Sequence, residues 1–127
     1  MKKKVETAYG VIGLGRFGEA LAMMLAQSGH EVIAVDKDEK KVKEMRQYTD
    51  CAFVADNLSS DTLKEIGIQN CDVVIICIGE KVDVSVLTTM SVIEMGVPRV
   101  IAKALSPEQG AVLNTGVSKL PLTRIRL

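Results

Sequence analysis

Three glycines and one aspartate have the spacing in this chain that is most specific for chemistry. Gly13, Gly15 and Gly18 form a Gly-x-Gly-x-x-Gly pattern, and Asp36 follows about twenty residues later. The first glycine of such a pattern permits a tight turn, the second lets a pyrophosphate approach the backbone, and the third lets a helix pack closely on a sheet. An acid at the end of the next strand accepts hydrogen bonds from a ribose. The pattern predicts a nucleotide-binding turn; the alternative is a tight turn that binds no ligand.

Two charged residues modify this prediction. Arg16 lies between the second and third glycines, where its guanidinium can form paired hydrogen bonds with phosphate oxygens. It can equally point towards a neighbouring subunit or remain an exposed surface side chain. The carboxylate of Asp36 would repel a ribose 2′-phosphate, which disfavours NADP, although Lys37 beside it weakens this preference.

The elements that must position these residues alternate between strands and helices. Apolar runs predict strands at residues 9–12, 32–35, 52–55, 73–78 and 99–102. Apolar residues at helical spacing predict helices between and after them, including 37–46, 82–95 and 107–113. Such alternation folds into right-handed βαβ units. We therefore predict an α/β, Rossmann-like doubly wound parallel sheet with helices on both faces, as a single domain.

Open α/β sheets bind ligands outside the carboxyl ends of their strands. This rule adds residues after the third and fourth strands and at the end of the fifth. Asp56 can instead cap a helix or lie in a turn, and Lys103 can be a solvated strand end. The predicted nucleotide site comprises Gly13, Leu14, Gly15, Arg16, Phe17, Gly18, Asp36, Lys37, Asp56, Asn57, Ile78, Gly79 and Lys103.

Composition argues against several other classes of protein. Sixteen basic and sixteen acidic residues give zero net charge, which argues against nucleic-acid binding. One histidine and three cysteines without CxxC spacing argue against a metal site, and Cys51 and Cys77 are predicted to be small core residues. No apolar run reaches the eighteen or so residues of a membrane span, and no signal peptide precedes the first strand. We expect a cytoplasmic protein without direct membrane insertion.

The residues needed for catalysis are missing from the predicted site. His30 is predicted to be a solvated residue in the turn before the second strand, at the opposite end of the sheet from the glycines. Neither Tyr9 nor Tyr48 precedes a lysine by four residues, so no short-chain-dehydrogenase dyad is present. We predict no catalytic residues and no enzyme. The alternative is a small NAD-dependent oxidoreductase or a fragment of one.

Two segments, residues 11–18 and 29–36, resemble the nucleotide-binding KTN/RCK domain of bacterial potassium-transport regulators. The resemblance extends through residues 63–68, 72–79 and 100–104. The Gly-Leu-Gly-Arg-Phe-Gly form is more specific than the general glycine pattern and is most similar to the Ktr-type cytosolic gating subunit. The family normally continues with an acidic segment and a second ligand-binding domain. Here we expect residues 1–117 to form the domain, and residues 118–127 to be an edge strand, a truncation point or an expression remnant.

The resemblance implies a regulatory role in potassium transport. It implies a homo-oligomer, built from dimers into an octameric ring, that binds NAD(H) and ATP or ADP reversibly. The ring would gate a membrane potassium transporter subunit and so associate peripherally with the inner face of the cell membrane. It further implies that Arg16 binds phosphates across a subunit contact, Asp36 binds ribose and Lys103 lies in the ligand cleft.

The helix predicted at residues 82–95 has more apolar residues than one face requires. A helix that covers a sheet needs a single apolar stripe. The excess is therefore predicted to be covered by a neighbouring subunit, through this helix or through 107–113. The alternative is deep burial within its own domain.

Overall fold

The computed structural model describes residues 7–79, 82–104 and 122–126 of the chain. The predicted helix at 107–113 lies outside the described residues. The described elements, in chain order, are β1 (Ala8–Ile12), α1 (Arg16–Gln27), β2 (Glu31–Asp36), α2 (Glu39–Met45), β3 (Cys51–Val54), α3 (Ser60–Ile66), a 3-10 turn (Ile68–Asn70), β4 (Val73–Ile76), α4 (Val82–Glu94), β5 (Arg99–Ala104) and β6 (Leu122–Arg126).

The strands form one sheet in the order β3-β2-β1-β4-β5-β6, and every neighbouring pair is parallel. This order reverses direction between β1 and β4, which pair Gly10 with Val74 and Ile12 with Ile76. In sheets of this type, ligands bind outside the carboxyl ends of the strands at such a reversal. The predicted Rossmann-like, doubly wound sheet is confirmed.

Both faces of the sheet are covered, because successive strand residues point to opposite sides. Val11 belongs to a buried cluster that includes Ala22, Val42 and Met45 from α1 and α2. Ile12, its neighbour, belongs to a second cluster that includes Leu63 and Val92 from α3 and α4. The strands are accordingly continuous aliphatic runs, and β4 is buried at all four positions.

The helices differ in how their amino ends are capped. The Asp38 side chain accepts a hydrogen bond from Lys40 N at the start of α2, and Ser59 accepts one from Thr62 N at the start of α3. Helix α1 has Gly15 at its cap position and no side-chain hydrogen bond there. Two short surface helices are thus capped by side chains, whereas the helix after the glycine-rich turn is not.

The outer edge of the sheet at β3 is contacted by the residue that follows α2. The Arg46 Nε and Nη2 groups donate hydrogen bonds to the Ala52 carbonyl, at 3.3 and 3.2 Å. Thr49 supports the same edge, since its hydroxyl donates to the Val32 carbonyl and accepts from Cys51 N. At the other end of the sheet, Leu122–Arg126 pairs with β5.

Two predicted environments are wrong. His30 is half-buried rather than solvated: its ring packs edge-on against Tyr9, with centroids 5.0 Å apart, and its Nδ1 is buried without a hydrogen-bond partner among the described residues.

The second wrong environment is that of Cys51. Cys51 is exposed at the start of an edge strand, whereas Cys71 is buried beneath β1 and β4. Burial, and to a lesser extent the charge of Asp72, raises the pKa of the Cys71 thiol to about 11. It therefore stays protonated at neutral pH.

Gly18 provides a test of how closely α1 packs on the sheet. A Cβ at this position would lie 1.9 Å from the Gly13 carbonyl oxygen. We expect Gly18→Ala to lower the free energy of unfolding by roughly 3 kcal/mol, the upper part of the range for overpacked positions, because backbone must move. Gly15→Ala is the control, since a Cβ there meets nothing within 4 Å. Its cost should stay below about 1 kcal/mol in urea unfolding. Equal losses in the two variants would contradict this account.

Candidate nucleotide-binding site

The glycine-rich turn is joined to the end of β2 by hydrogen bonds. The Gly13 N–H donates to the Val35 carbonyl at 2.8 Å. Gly13 has φ +104°, in the left-handed region that favours glycine, and a Cβ there would lie 2.7 Å from the Cys77 carbonyl oxygen. No other residue type fits this position without moving backbone. The turn therefore has one shape, set by β2 on one side and by the end of β4 on the other.

Asp36 accepts two backbone hydrogen bonds at the end of β2. Its Oδ2 accepts from Leu14 N at 2.6 Å, and its Oδ1 accepts from Asp38 N at 2.7 Å. The carboxylate is half-buried. One side chain thus joins the glycine-rich turn to the start of α2. A carboxylate has about four lone-pair sites, so acceptor capacity remains for a ribose hydroxyl.

Gly15 is a glycine of the turn that the protein's own packing does not explain. It is exposed, its φ of −70° and ψ of −165° are open to any residue, and a Cβ would meet no atom within 4 Å. A side chain here would instead fill the space in front of the amino end of α1. A pyrophosphate that lies against the backbone needs this space, so the residues present fit such a group.

The amino end of α1 combines the helix dipole with the charge of Arg16, and Glu19 is the acidic residue in its first turn. A helix start presents N–H groups and the positive end of the helix dipole. Arg16, the first residue of α1, is exposed, and its guanidinium has no hydrogen bond or ion pair with another described residue. A cation at this end of a helix is unfavourable by itself, and a bound anion offsets it.

Two residues of the predicted set contribute backbone rather than side chain. Leu14 is 1% exposed and belongs to the cluster on the α1 face, and Phe17 is half-buried and packs against the same cluster. Their side chains thus position the turn from below. Ligand contacts at these two positions would be made by main-chain groups.

The structure places the other predicted residues along the same carboxyl edge. Lys37 and Asp56 are exposed, after β2 and β3 respectively. Asn57 has an internal role, since its Oδ1 accepts from Ser59 N at 3.1 Å and from Thr62 Oγ1 at 2.9 Å. The cap of α3 is therefore made by Ser59, supported by Asn57, and not by Asp56.

The last predicted residues lie beyond the switch between β1 and β4. Ile78 is half-buried, and Gly79 is exposed with open space where a Cβ would be. Lys103 lies one residue before the end of β5, and its side chain is outside the described residues. The nucleotide contacts expected of this whole set remain predictions.

Two residues near the site were missed at the level of sequence. Asp38 donates its N–H to Asp36 and caps α2 through its side chain. Cys77, the residue after β4, contacts the turn. The Asp-x-Asp spacing is a signal for the first. The second requires the strand order, since β1 and β4 are distant in sequence.

Two kinds of site or segment are absent from the described residues. Among residues 7–79, 82–104 and 122–126, no three or more histidine, cysteine, aspartate or glutamate side chains are grouped as metal ligands would be. No helix within those ranges has the length and apolar character to cross a membrane.

The fold and the turn together define a Rossmann domain of the nucleotide-binding class. The chain belongs to the TrkA-N domain family, whose model matches residues 9–120. The solved TrkA-N domain of the inner membrane protein ybaL from Escherichia coli has the same fold, with a TM-score of 0.77 at 15% identity over 98% of this chain and 89% of that one.

Curated relatives support the same assignment. The chain is 40% identical over 114 residues to Ktr system potassium uptake protein C of Bacillus subtilis (strain 168), covering 90% of this chain and 50% of that protein. It is also 40% identical over 111 residues to Ktr system potassium uptake protein A of Vibrio alginolyticus, covering 87% and 50%. The expected family resemblance is confirmed, and the chain spans about half the length of these relatives.

Removal of the Asp36 carboxylate tests its structural role without any ligand. Asp36→Ala leaves Leu14 N without its acceptor, and an orphaned buried donor costs roughly 1–3 kcal/mol of unfolding free energy. Asp56→Ala, at the exposed end of the next strand, should change stability by less than about 0.5 kcal/mol. Urea unfolding of both variants measures the difference. An Asp36→Ala chain as stable as the parent would show that the turn does not depend on this carboxylate.

Proposed function

We propose that this chain is the nucleotide-sensing domain of a potassium-uptake regulator. It binds NAD(H) and ATP or ADP at the glycine-rich turn, and the identity of the bound nucleotide gates a membrane potassium transporter. The observation that carries the proposal is the space beside Gly15, in front of a helix end without a side-chain cap.

Phosphates fit this space for two reasons. The amino end of α1 supplies N–H donors and a positive dipole end. The exposed Arg16 guanidinium adds a full positive charge and forms no ion pair with a described residue. Adenine nucleotides with two or more phosphates satisfy both, which is why ATP, ADP and NAD(H) belong to one ligand class here.

The ribose is recognised by Asp36 in this proposal. Its carboxylate lies beside the turn and keeps acceptor capacity after its two backbone bonds. A 2′-phosphate would place like charges together, so the site favours NAD(H) over its phosphorylated form. The exposed Lys37 moderates this preference but does not reverse it.

The position of the chain's one histidine favours regulation over hydride transfer. The imidazole of His30 packs on Tyr9, near the amino ends of the strands and at the opposite edge from the glycine-rich turn. A regulator needs only differential affinity, since a ligand shifts a conformational equilibrium by binding one state better than the other.

The potassium-transport role rests on the relatives. Both Ktr proteins are named for potassium uptake, and this chain matches about half of each. The partner proposed for this chain is a membrane potassium transporter subunit. The protein then lies in the cytoplasm and is held at the inner face of the membrane by that subunit.

Self-association is proposed through α4. Leu87 and Met90 are 64% and 41% exposed and lie three residues apart on this helix, so they form one apolar surface. They border a groove of about 480 Å³ between α4 and the loop before α3, which also contains Leu58 and Val84. A second copy covers this surface in the proposed dimer, the unit of the octameric ring.

The ribose contact is tested with ATP and 2′,3′-dideoxy-ATP, which differ only in the ribose hydroxyls. The parent should prefer ATP by at least about ten-fold, since a hydrogen bond to a charged group contributes roughly 1.5–3 kcal/mol. Asp36→Ala should bind both ligands equally in calorimetry. This comparison separates the ribose contact from the effect of the substitution on the turn.

Asp38→Ala is the matched control. It removes a neighbouring carboxylate that caps α2, but leaves the Asp38 N–H that donates to Asp36. It should therefore keep the parent's preference for ATP. A parent that binds the two nucleotides equally, or an Asp36→Ala chain that still discriminates, would refute the ribose assignment.

The association surface is tested by sedimentation at micromolar concentration. The parent should be at least a dimer, and Leu87→Asp should be a monomer because the substitution places a charge in an apolar contact. Met24→Asp is the control, since Met24 is 57% exposed but lies on α1. A monomeric parent, or dissociation by Met24→Asp as well, would exclude α4 as the interface.

A further inference from the structure

Cys77 contacts both of the close-packed glycines of the turn. A Cβ on Gly13 would lie 2.7 Å from the Cys77 carbonyl oxygen, and a Cβ on Gly18 would lie 3.3 Å from the Cys77 Cβ. The Cys77 N–H also donates to the Ile12 carbonyl at 2.7 Å, immediately before the turn. The residue immediately after β4 therefore touches the turn at its beginning and the helix α1 near its start.

The residues that form this contact are all small. Gly18 and Ala22 lie one turn apart on α1, both are buried, and both face the sheet. Cys77 is 5% exposed and belongs to the same buried cluster as Ala22 and Leu14. The approach of α1 to the segment just after β4 is consequently limited by three small residues, and Cys77 is the one that follows the strand.

We propose that Cys77 is a positioning residue for the phosphate end of the site. Its small volume lets the amino end of α1 lie at the depth from which the helix N–H groups reach a phosphate, and a larger side chain would move the helix away. This inference rests on the proposed nucleotide binding. Cys77 acts on the phosphates alone, because the ribose contact at Asp36 lies on β2, on the other side of β1.

A larger side chain at this position should therefore impair one part of the ligand only. Cys77→Leu pushes α1 outwards, because Gly18 has no side chain that could move aside to make room. We expect the affinity for ADP to fall by about ten-fold or more, the equivalent of one lost charge-assisted hydrogen bond. The affinity for adenosine, which has no phosphate, should be unchanged. Cys77→Ala should bind both ligands as the parent does.

Cys71→Leu is the matched control for the cost of enlarging a buried cysteine. Cys71 is 2% exposed and packs in the cluster on the opposite face of the sheet, beside Gly10. The variant should lose stability without changing the ratio of ADP to adenosine affinity. If Cys77→Leu does not fold, Cys77→Val gives a smaller increase in volume at the same contact.

Amide chemical shifts keep the test independent of nucleotide binding. In the ligand-free chain, Cys77→Leu or Cys77→Val should shift the amide resonances of residues 14–18 more than those of residues 36–38. A folded Cys77→Leu chain that binds ADP like the parent, or that loses ADP and adenosine equally, would overturn the inference. If the parent binds neither ligand, the proposed function fails, and shifts confined to other residues would still refute the positioning role.

Discussion

The hydrogen bonds that converge on the Asp36 carboxylate are the interaction on which the site depends. One oxygen accepts from the glycine-rich turn and the other from the residue that caps α2. A buried backbone N–H needs a partner, and here that partner is a charged side chain on the neighbouring strand. The same carboxylate that is proposed to bind a ribose therefore also shapes the turn proposed to bind phosphates. Its two roles are physically coupled, so a substitution of Asp36 affects the shape of the turn as well as the proposed ribose contact.

Close packing under the turn follows from the same constraint. The Gly13 N–H bond to β2 fixes the turn laterally, and the Cys77 backbone leaves no room for a side chain at Gly13. Helix α1 can then approach only because Gly18 and Ala22 are small. Since these contacts are internal to the protein, the turn is formed before a ligand binds, and the protein loses less conformational entropy on binding. Gly15, which has no packing role, is the exposed glycine of the turn, where a ligand can approach the backbone.

The sequence was most informative where a residue type has a single physical reason. Gly13 and Gly18 were assigned to a tight turn and to close helix packing, and the Cβ contacts at both positions agree with those roles. The continuous aliphatic runs indicated a sheet covered on both faces, because only such a sheet buries every position of β4. Environment was harder to infer. The edge position of Cys51 and the ring contact of His30 depend on strand order and on side-chain packing between distant segments. The role of Cys77 depends on the pairing of β1 with β4, which local pattern does not contain.

The Arg46 contact at β3 has a consequence for how copies of this domain associate. Edge strands of open sheets have unpaired carbonyl and amide groups, with which a strand of another molecule can pair. Here the guanidinium occupies the Ala52 carbonyl, and the strand is only four residues long. A second molecule that approached from this side would have to displace a bidentate donor before it could extend the ladder. Polymerisation by strand addition is thereby suppressed at this edge. Contacts through helices do not meet this obstacle, and they can close into a finite assembly.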